Sequence, residues 1–209
     1  MRRPPTLKTI EVFASVQGEG LRQGEPTVFV RLAGCNRRCG FCDTKKAWRG
    51  GRETPVAKIA EEVGRLRRNF PAAWVCLTGG EPLAQDVRPL VRRLHDEGLM
   101  VQVETNGTFP PDSAADWITL SPKPPDYDFH PGFIERAREV KLVVCRALTL
   151  DAVRSVRSAF PRETPLILQP QSNAAWSRKK ASKMLEDACR AGLPGMRLSV
   201  QLHKVYGLR

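Results

Sequence analysis

The sequence predicts an α/β fold: a mostly parallel sheet curled into a partial, open (β/α)6 barrel, with an extra N-terminal edge strand. Three observations predict it. Short apolar segments rich in β-branched residues recur along the chain. Several intervals between them carry the apolar spacing of amphipathic helices, and alternating strands and helices imply parallel pairing. Strand-like segments outnumber full-length helices, which favours an incomplete barrel over a closed eight-stranded one.

Residues 10–16 precede the first strand–helix unit and are assigned to the edge. Residues 27–32 form the first barrel strand. Thr54-Pro55 reads as a helix start, a hydroxyl cap followed by proline at the first helical position. Val56, Ile59, Ala60, Val63 and Leu66 follow at helical spacing. After a strand at 74–77, Val87, Leu90, Val91 and Leu94 form a second helical stripe stopped by Gly98. Strands are expected at 99–103 and 117–120. The proline-rich stretch 121–131 is the longest irregular piece, and it leaves a strand's C-terminal end, where α/β folds place ligands. A strand at 140–144, a helix at 150–160, a strand at 166–168, a helix at 177–191 ended by Gly192 and a last strand at 197–202 complete the pattern. No repeat, low-complexity tract or linker interrupts it, so one domain is expected over residues 1–209.

A chain of 209 residues can bury a sizeable core. No apolar run approaches the roughly 20 residues of a membrane helix; residues 140–145, among the most apolar, are broken by Lys141. Pro4, Pro5, Lys8 and Glu11 stand where a secretory signal needs an apolar segment, so the expected location is the cytoplasm, with no membrane contact. The net charge of +12 comes from 34 basic and 22 acidic residues. The basic residues are dispersed and no nucleic-acid motif accompanies them, which argues for solvated faces rather than direct nucleic-acid binding. A basic rim around the cysteine loop would suit an acidic electron donor.

Six cysteines divide into a tight triplet, Cys35, Cys39 and Cys42, and three scattered residues in apolar surroundings, Cys76, Cys145 and Cys189. The scattered thiols read as small buried hydrophobes. Three thiolates close in sequence can wrap one compact centre, and soft sulfur selects zinc, copper(I) or an iron–sulfur cluster. A closed zinc site wants a fourth ligand, and none lies nearby in sequence. A 4Fe-4S cluster normally takes four cysteines; three would leave one iron open for chemistry.

The run Cys35-Asn36-Arg37-Arg38-Cys39-Gly40-Phe41-Cys42 resembles the signature of the radical S-adenosylmethionine (radical SAM) superfamily. Thr78-Gly79-Gly80-Glu81-Pro82, at the end of the next strand, resembles the superfamily segment that holds the cofactor's methionine ammonium; read by itself, it is a glycine turn into a helix. Together the motifs imply a 4Fe-4S cluster on Cys35, Cys39 and Cys42, S-adenosylmethionine on the open iron, and an open barrel of the radical SAM type. In that chemistry the cofactor does the reaction, while the protein supplies orientation and exclusion of side reactions.

A closer resemblance spans nearly the whole chain. Phe13–Gly20 as a string, Cys39-Gly40-Phe41-Cys42-Asp43-Thr44, Glu104-Thr105-Asn106-Gly107-Thr108, Ser121-Pro122-Lys123, Gln169-Pro170 and Leu198-Ser199-Val200-Gln201-Leu202-His203-Lys204 are similar to the 7-carboxy-7-deazaguanine synthase family. The resemblance implies a magnesium-dependent ring contraction of 6-carboxy-5,6,7,8-tetrahydropterin to 7-carboxy-7-deazaguanine with loss of ammonia, in queuosine and other 7-deazapurine pathways. It implies substrate contacts from Val16, Gln17, Gly18, Glu19, Arg31, Thr78, His203 and the terminal carboxylate of Arg209. Thr44 matches the magnesium ligand, with Asp43 assisting. S-adenosylmethionine contacts fall on Phe41, Cys42, Asp43, Gly80, Glu81, Glu104, Asn106, Ser121, Pro122, Lys123, Gln169, Pro170, Gln171 and Ser172. The resemblance also implies a homodimer and a donor such as flavodoxin. No catalytic dyad is required, and none is evident.

Two other readings remain at this level. A glycyl-radical-enzyme activase would share the superfamily motifs, although Gln17-Gly18-Glu19-Gly20 and Gln201-Leu202-His203-Lys204 favour the pterin substrate. A zinc-stabilised nucleic-acid-binding domain would use the same cysteines.

Overall fold

The computed structural model describes residues 4–208. The strands are β1 (Thr6–Val16), β2 (Pro26–Leu32), β3 (Arg52–Pro55), β4 (Trp74–Gly79), β5 (Met100–Thr105), β6 (Trp117–Leu120), β7 (Glu139–Val144), β8 (Leu166–Pro170) and β9 (Met196–Leu198). The helices are α1 (Val56–Asn69), α2 (Arg88–Asp96), α3 (Phe133–Arg136), α4 (Leu150–Ser158), α5 (Ala175–Arg190) and α6 (Leu202–Tyr206). One sheet takes the order β3-β1-β2-β4-β5-β6-β7-β8-β9. Pairing is antiparallel for β1 with β2 and β3, and parallel from β2 onwards. The sheet does not close, so the predicted open barrel holds.

Alternation along the parallel strands separates two faces. Val28, Val30 and Leu32 of β2, Val75 and Leu77 of β4, Val101 and Val103 of β5, Val140, Leu142 and Val144 of β7, and Leu166 and Leu168 of β8 join one apolar core. Helix residues Ile59, Val63, Leu90, Leu94, Val153 and Met184 belong to the same core. The opposite face carries Phe29, Arg31, Thr78, Glu104, Lys141, Val143 and Gln169, and lines a concavity. The helices therefore pack outside the curved sheet, and the polar alternate positions point within it.

Several expectations are corrected. The first strand runs from Thr6, and β3 lies outside it, so β1 is not the sheet's edge. Thr54-Pro55 belongs to β3: Thr54 Oγ1 bonds Thr9 Oγ1 at 2.7 Å, and α1 begins at Val56 without a side-chain cap. Asp43-Thr44, which taken by itself reads as a helix cap, precedes a 3-10 turn at Lys45–Trp48 with no side-chain cap bond from Thr44. The last strand ends at Leu198 rather than 202. There Asn173 bonds the backbone of Gln201 twice, at 3.0 Å each, and Leu202 N–H donates to Gly18 C=O at 2.9 Å, which turns the chain into α6. Cys189 is exposed, whereas Cys76 and Cys145 are buried as expected. The β5–β6 crossover carries no helix. Among the described residues, no helix is long and apolar enough to cross a membrane.

The 17–25 segment folds back across the concavity. Leu21 N–H donates to Glu139 Oε2 at 2.6 Å, and Arg22 Nη1 donates to Gln102 Oε1 at 2.8 Å while stacking 3.5 Å above the Trp74 ring. Its attachment to residues 200–202, through Gly18 and Gln23, bridges the open side of the barrel.

Candidate active site

The 35–42 loop leaves the C-terminal end of β2, and its three cysteines are half-buried and unpaired. Asn36 anchors it: Asn106 Nδ2 donates to Asn36 Oδ1 at 2.9 Å, and Asn36 Nδ2 donates to Thr108 Oγ1 at 2.7 Å. Asn106 thus positions the cysteine loop itself. Burial raises the thiol pKa of Cys35 and of Cys39; the Lys123 ammonium opposes the rise at Cys39. Neighbouring thiolates at such a place need a metal's positive charge to coexist. The donor set fits a soft-metal centre held by three sulfurs.

Beside this loop the backbone at Gly79-Gly80 closes on β2. Gly80 N–H donates to Leu32 C=O at 2.9 Å, and Glu81 N–H donates to Gly34 C=O at 2.7 Å. A Cβ on Gly80 would sit 1.9 Å from Gly34 O, and Gly79 has φ of 117°. Only glycines let the two strand ends approach this closely. Glu81 is almost wholly buried; its carboxylate accepts from Thr105 Oγ1 at 2.7 Å, Asn106 N–H at 2.7 Å and Leu83 N–H at 3.0 Å. Burial raises its pKa and these bonds oppose the rise. Glu81 therefore knits β4 to β5 with its oxygens occupied by the protein.

Gln169, 1% exposed on β8, accepts from Ser199 Oγ at 2.6 Å, while its Nε2 has no partner among the described residues. A buried amide donor facing the concavity without a partner marks a place for a ligand acceptor. Lys123 Nζ donates to Ser121 Oγ at 2.6 Å, and burial, then the nearby Lys141 charge, lowers its pKa. Pro170, Gln171 and Ser172 complete this wall. These features fit a polar, anionic cofactor end.

The other half of the concavity is built from β1, its following loop and the chain near His203. Val16, Gln17, Gly18 and Glu19 line it, as do Arg31 and Thr78 on neighbouring strands. Arg31 Nε donates to Glu11 Oε1 at 2.8 Å, and its Nη1 reaches Thr44 Oγ1 at 3.4 Å. Thr44 in turn donates to Asp43 Oδ1 at 3.1 Å. Ligand atoms of Glu19, Asp43 and His203 lie within 4.8 Å of one another. His203 sits on α6, against Gly18, where a Cβ would come within 2.2 Å of its Nδ1.

Most of the anticipated residues thus share one concavity, including all three cysteines, Phe41, Asp43, Thr44, Glu104 and Asn106. Pro122 is buried but does not line it, unlike Ser121 and Lys123. Arg209 lies outside the described residues. Sequence reasoning missed Lys141 and Gln201. Lys141 Nζ donates to Glu19 Oε2 and, at 3.0 Å, to Glu104 Oε2. Gln201 Nε2 donates to Glu19 Oε1 at 2.7 Å. Burial would raise the Glu19 pKa, but the Lys141 charge and these bonds bring it down to about 2. A lysine interrupting an apolar strand was the available sign of an inward-facing charge.

Comparison with known proteins agrees with this geometry. Residues 29–128 match the model of the Radical SAM superfamily. The 7-carboxy-7-deazaguanine synthase of Aquifex aeolicus is 35% identical over 100% of this chain and 98% of its own length. The enzyme of that name from Bacteroides thetaiotaomicron is 36% identical over 97% and 98%. The crystal structure of QueE from Escherichia coli superposes with a TM-score of 0.79, at 28% identity, over 95% of both chains.

Proposed function

This chain belongs to the 7-carboxy-7-deazaguanine synthase family of radical SAM enzymes, and from that membership we propose how its concavity carries the reaction. The protein is a radical SAM lyase of 7-deazapurine biosynthesis, using a 4Fe-4S cluster and S-adenosylmethionine. The proposed conversion is that of 6-carboxy-5,6,7,8-tetrahydropterin to 7-carboxy-7-deazaguanine with loss of ammonia.

Cys35, Cys39 and Cys42 would hold the cluster. When bound, cluster and S-adenosylmethionine would supply radical abstraction of a hydrogen atom from the substrate. The chain's own work is positioning and exclusion of water. The Gly79-Gly80 backbone, seated against the end of β2 where any Cβ would strike Leu32 or Gly34, presents its peptide groups to the methionine end. Lys123 offers a cation, and Gln169 an amide donor, to the cofactor's polar groups. Phe41, Cys42, Asp43, Ser121, Pro170, Gln171 and Ser172 shape the remaining wall; Glu81 and Asn106 act by holding that wall and the cysteine loop together.

Gln17, Gly18, Glu19 and Glu104 present acceptors and a backbone edge to a flat heterocycle bearing N–H donors. Arg31 and His203 face its carboxylate side, with Val16 and Thr78 beside them. Thr44, with Asp43 behind it, would offer hard oxygen to magnesium; one hydroxyl cannot hold the ion alone, so the substrate would have to supply further oxygen. Magnesium and substrate binding are therefore coupled.

The observation that carries this reading is the convergence of three cysteines, a glycine cradle and an inward polar strand face on one concavity. An anaerobic assay with reconstituted cluster, magnesium, S-adenosylmethionine and the carboxytetrahydropterin tests it. Mass analysis is expected to give 7-carboxy-7-deazaguanine; one bound zinc, without iron or sulfide, would refute it.

The electron donor we propose is an acidic protein such as flavodoxin, in the cytoplasm, where thiols stay reduced. A groove behind the cysteine loop supports this, with Arg37, Arg38, Arg146 and Trp176 around Cys39. Exposed Val205, Tyr206 and Leu208 are consistent with a homodimer, which sedimentation tests.

A further inference from the structure

Lys141 has no place in the reading above, yet it is among the most buried charges of the molecule, with 3% of its surface exposed. It sits on the inward face of β7 and bridges two carboxylates that come from different parts of the chain. One is Glu19, on the loop after β1; the other is Glu104, on β5, two strands away. We propose that Lys141 is a positioning residue for the substrate, holding Glu19 and Glu104 together so that both carboxylates face the same half of the concavity. The inference rests on the pterin reading of that half.

Three observations carry it. First, each carboxylate is fixed from its other side as well. Glu19 Oε1 accepts from Gln201 Nε2 at 2.7 Å, and Glu104 Oε1 accepts from Gln17 Nε2 at 3.1 Å. The lysine is thus the centre of a chain running Gln201, Glu19, Lys141, Glu104, Gln17. Three of these five, Gln17, Glu19 and Gln201, lie on the two segments that bridge the open side of the barrel. Second, a buried lysine needs only one carboxylate to balance its charge. The second leaves the group with one net negative charge beside the concavity, which complements a heterocycle edge rich in N–H donors. Third, the cofactor half is linked to Lys141 only through space. Among the described residues Lys141 Nζ bonds Glu19 and Glu104, not Lys123 or Gln169. Burial, then the Lys141 charge, lowers the Lys123 pKa, so removing the ammonium relieves that repulsion and leaves Lys123 cationic, while the Glu19 and Glu104 carboxylates lose their shared partner.

The test compares Lys141→Met and Lys141→Arg with the wild type as reconstituted holoenzymes. Iron and sulfide content, S-adenosylmethionine affinity, KM for the carboxytetrahydropterin, and 5′-deoxyadenosine released per product are measured. In Lys141→Met, cluster content and cofactor affinity should stay within about twofold of wild type. Its KM should rise at least about 30-fold, the scale expected when one partner of a buried charge pair is removed. More deoxyadenosine should be lost per product, because the substrate is held loosely. Lys141→Arg should recover part of the coupling. Unchanged KM and coupling in Lys141→Met would overturn the inference, as would a parallel loss of cluster and cofactor affinity, which marks a purely structural role. Should Lys141→Met fail to fold, Glu19→Gln keeps the Lys141–Glu104 pair and must itself raise KM and uncouple; if it does neither, the inference fails. A wild-type enzyme that cleaves S-adenosylmethionine but ignores the pterin would sink the substrate reading instead.

Discussion

At the scale of single residues, two cysteines of similar chemistry have opposite consequences. Cys39 stands half-buried in the anchored loop at the mouth of the concavity. Cys145 is 3% exposed and packs in the apolar core. Cys39→Ala is expected to abolish cluster assembly and activity, read as loss of iron, sulfide and visible absorbance. Cys145→Ala should keep the cluster and cost about 1 kcal/mol of stability from lost packing. Glu19 gives a second residue-scale expectation. Its folded pKa of about 2 lies below the reference value of 4.5, so its ionised form stabilises the fold above pH 4.5. That stabilisation is lost as pH falls from 4.5 to about 2. Thermal unfolding across this range should therefore show Glu19→Gln less stable than wild type above pH 4.5, with the two curves converging near pH 2. Parallel curves throughout would mean that Glu19 is not held ionised by Lys141. The triplet and the Gly79-Gly80 pair were readable because their chemistry is local in sequence. Lys141 and Gln201 were not, because their partners are brought to them only by the fold.

At the scale of elements, short apolar segments rich in β-branched residues placed the strands. The period-two alternation within them separates apolar positions such as Leu142 from inward ones such as Lys141 and Val143. Where the prediction slipped, a long-range contact had overridden a local cue. The hydroxyl of Thr54 looked like a helix cap, but pairing of β3 with β1 gave it Thr9 instead. The apolar alternation of Leu198, Val200 and Leu202 looked like a strand, but Asn173 holds Gln201 and turns the segment. A genuine hydroxyl cap occurs at Thr149, whose Oγ1 accepts from Ala152 N–H at 3.2 Å at the start of α4. Thr149→Ala should lower stability by about 1 kcal/mol. Because α4 packs on the outer face of the sheet, turnover should not change; denaturant unfolding and the standard assay measure the two effects.

At the scale of the whole molecule, an incomplete barrel has to exclude water without closing its sheet. The 17–25 loop and residues 200–203 do this by bonding to each other across the gap and to Glu139, Gln102 and Lys141 within it. The proposed acidic donor would give the excess of positive charge a role that does not concern the fold. A net charge of +12 would attract such a donor over distances up to about the Debye length, and Arg37, Arg38 and Arg146 concentrate that charge beside Cys39. Electron delivery by an acidic flavodoxin should therefore slow several-fold between about 50 and 500 mM salt, because the screening length shrinks from more than 10 Å to less than half of that. Reduction by a cationic viologen should not slow, since salt screens a repulsion in that case. Stopped-flow bleaching of the cluster measures both rates. Arg38→Glu combined with Arg146→Glu, which line the outer groove and not the concavity, should reproduce the high-salt rate with flavodoxin while leaving the fully reduced enzyme's turnover intact. If the flavodoxin rate is insensitive to salt and to both substitutions, the electron enters through another face.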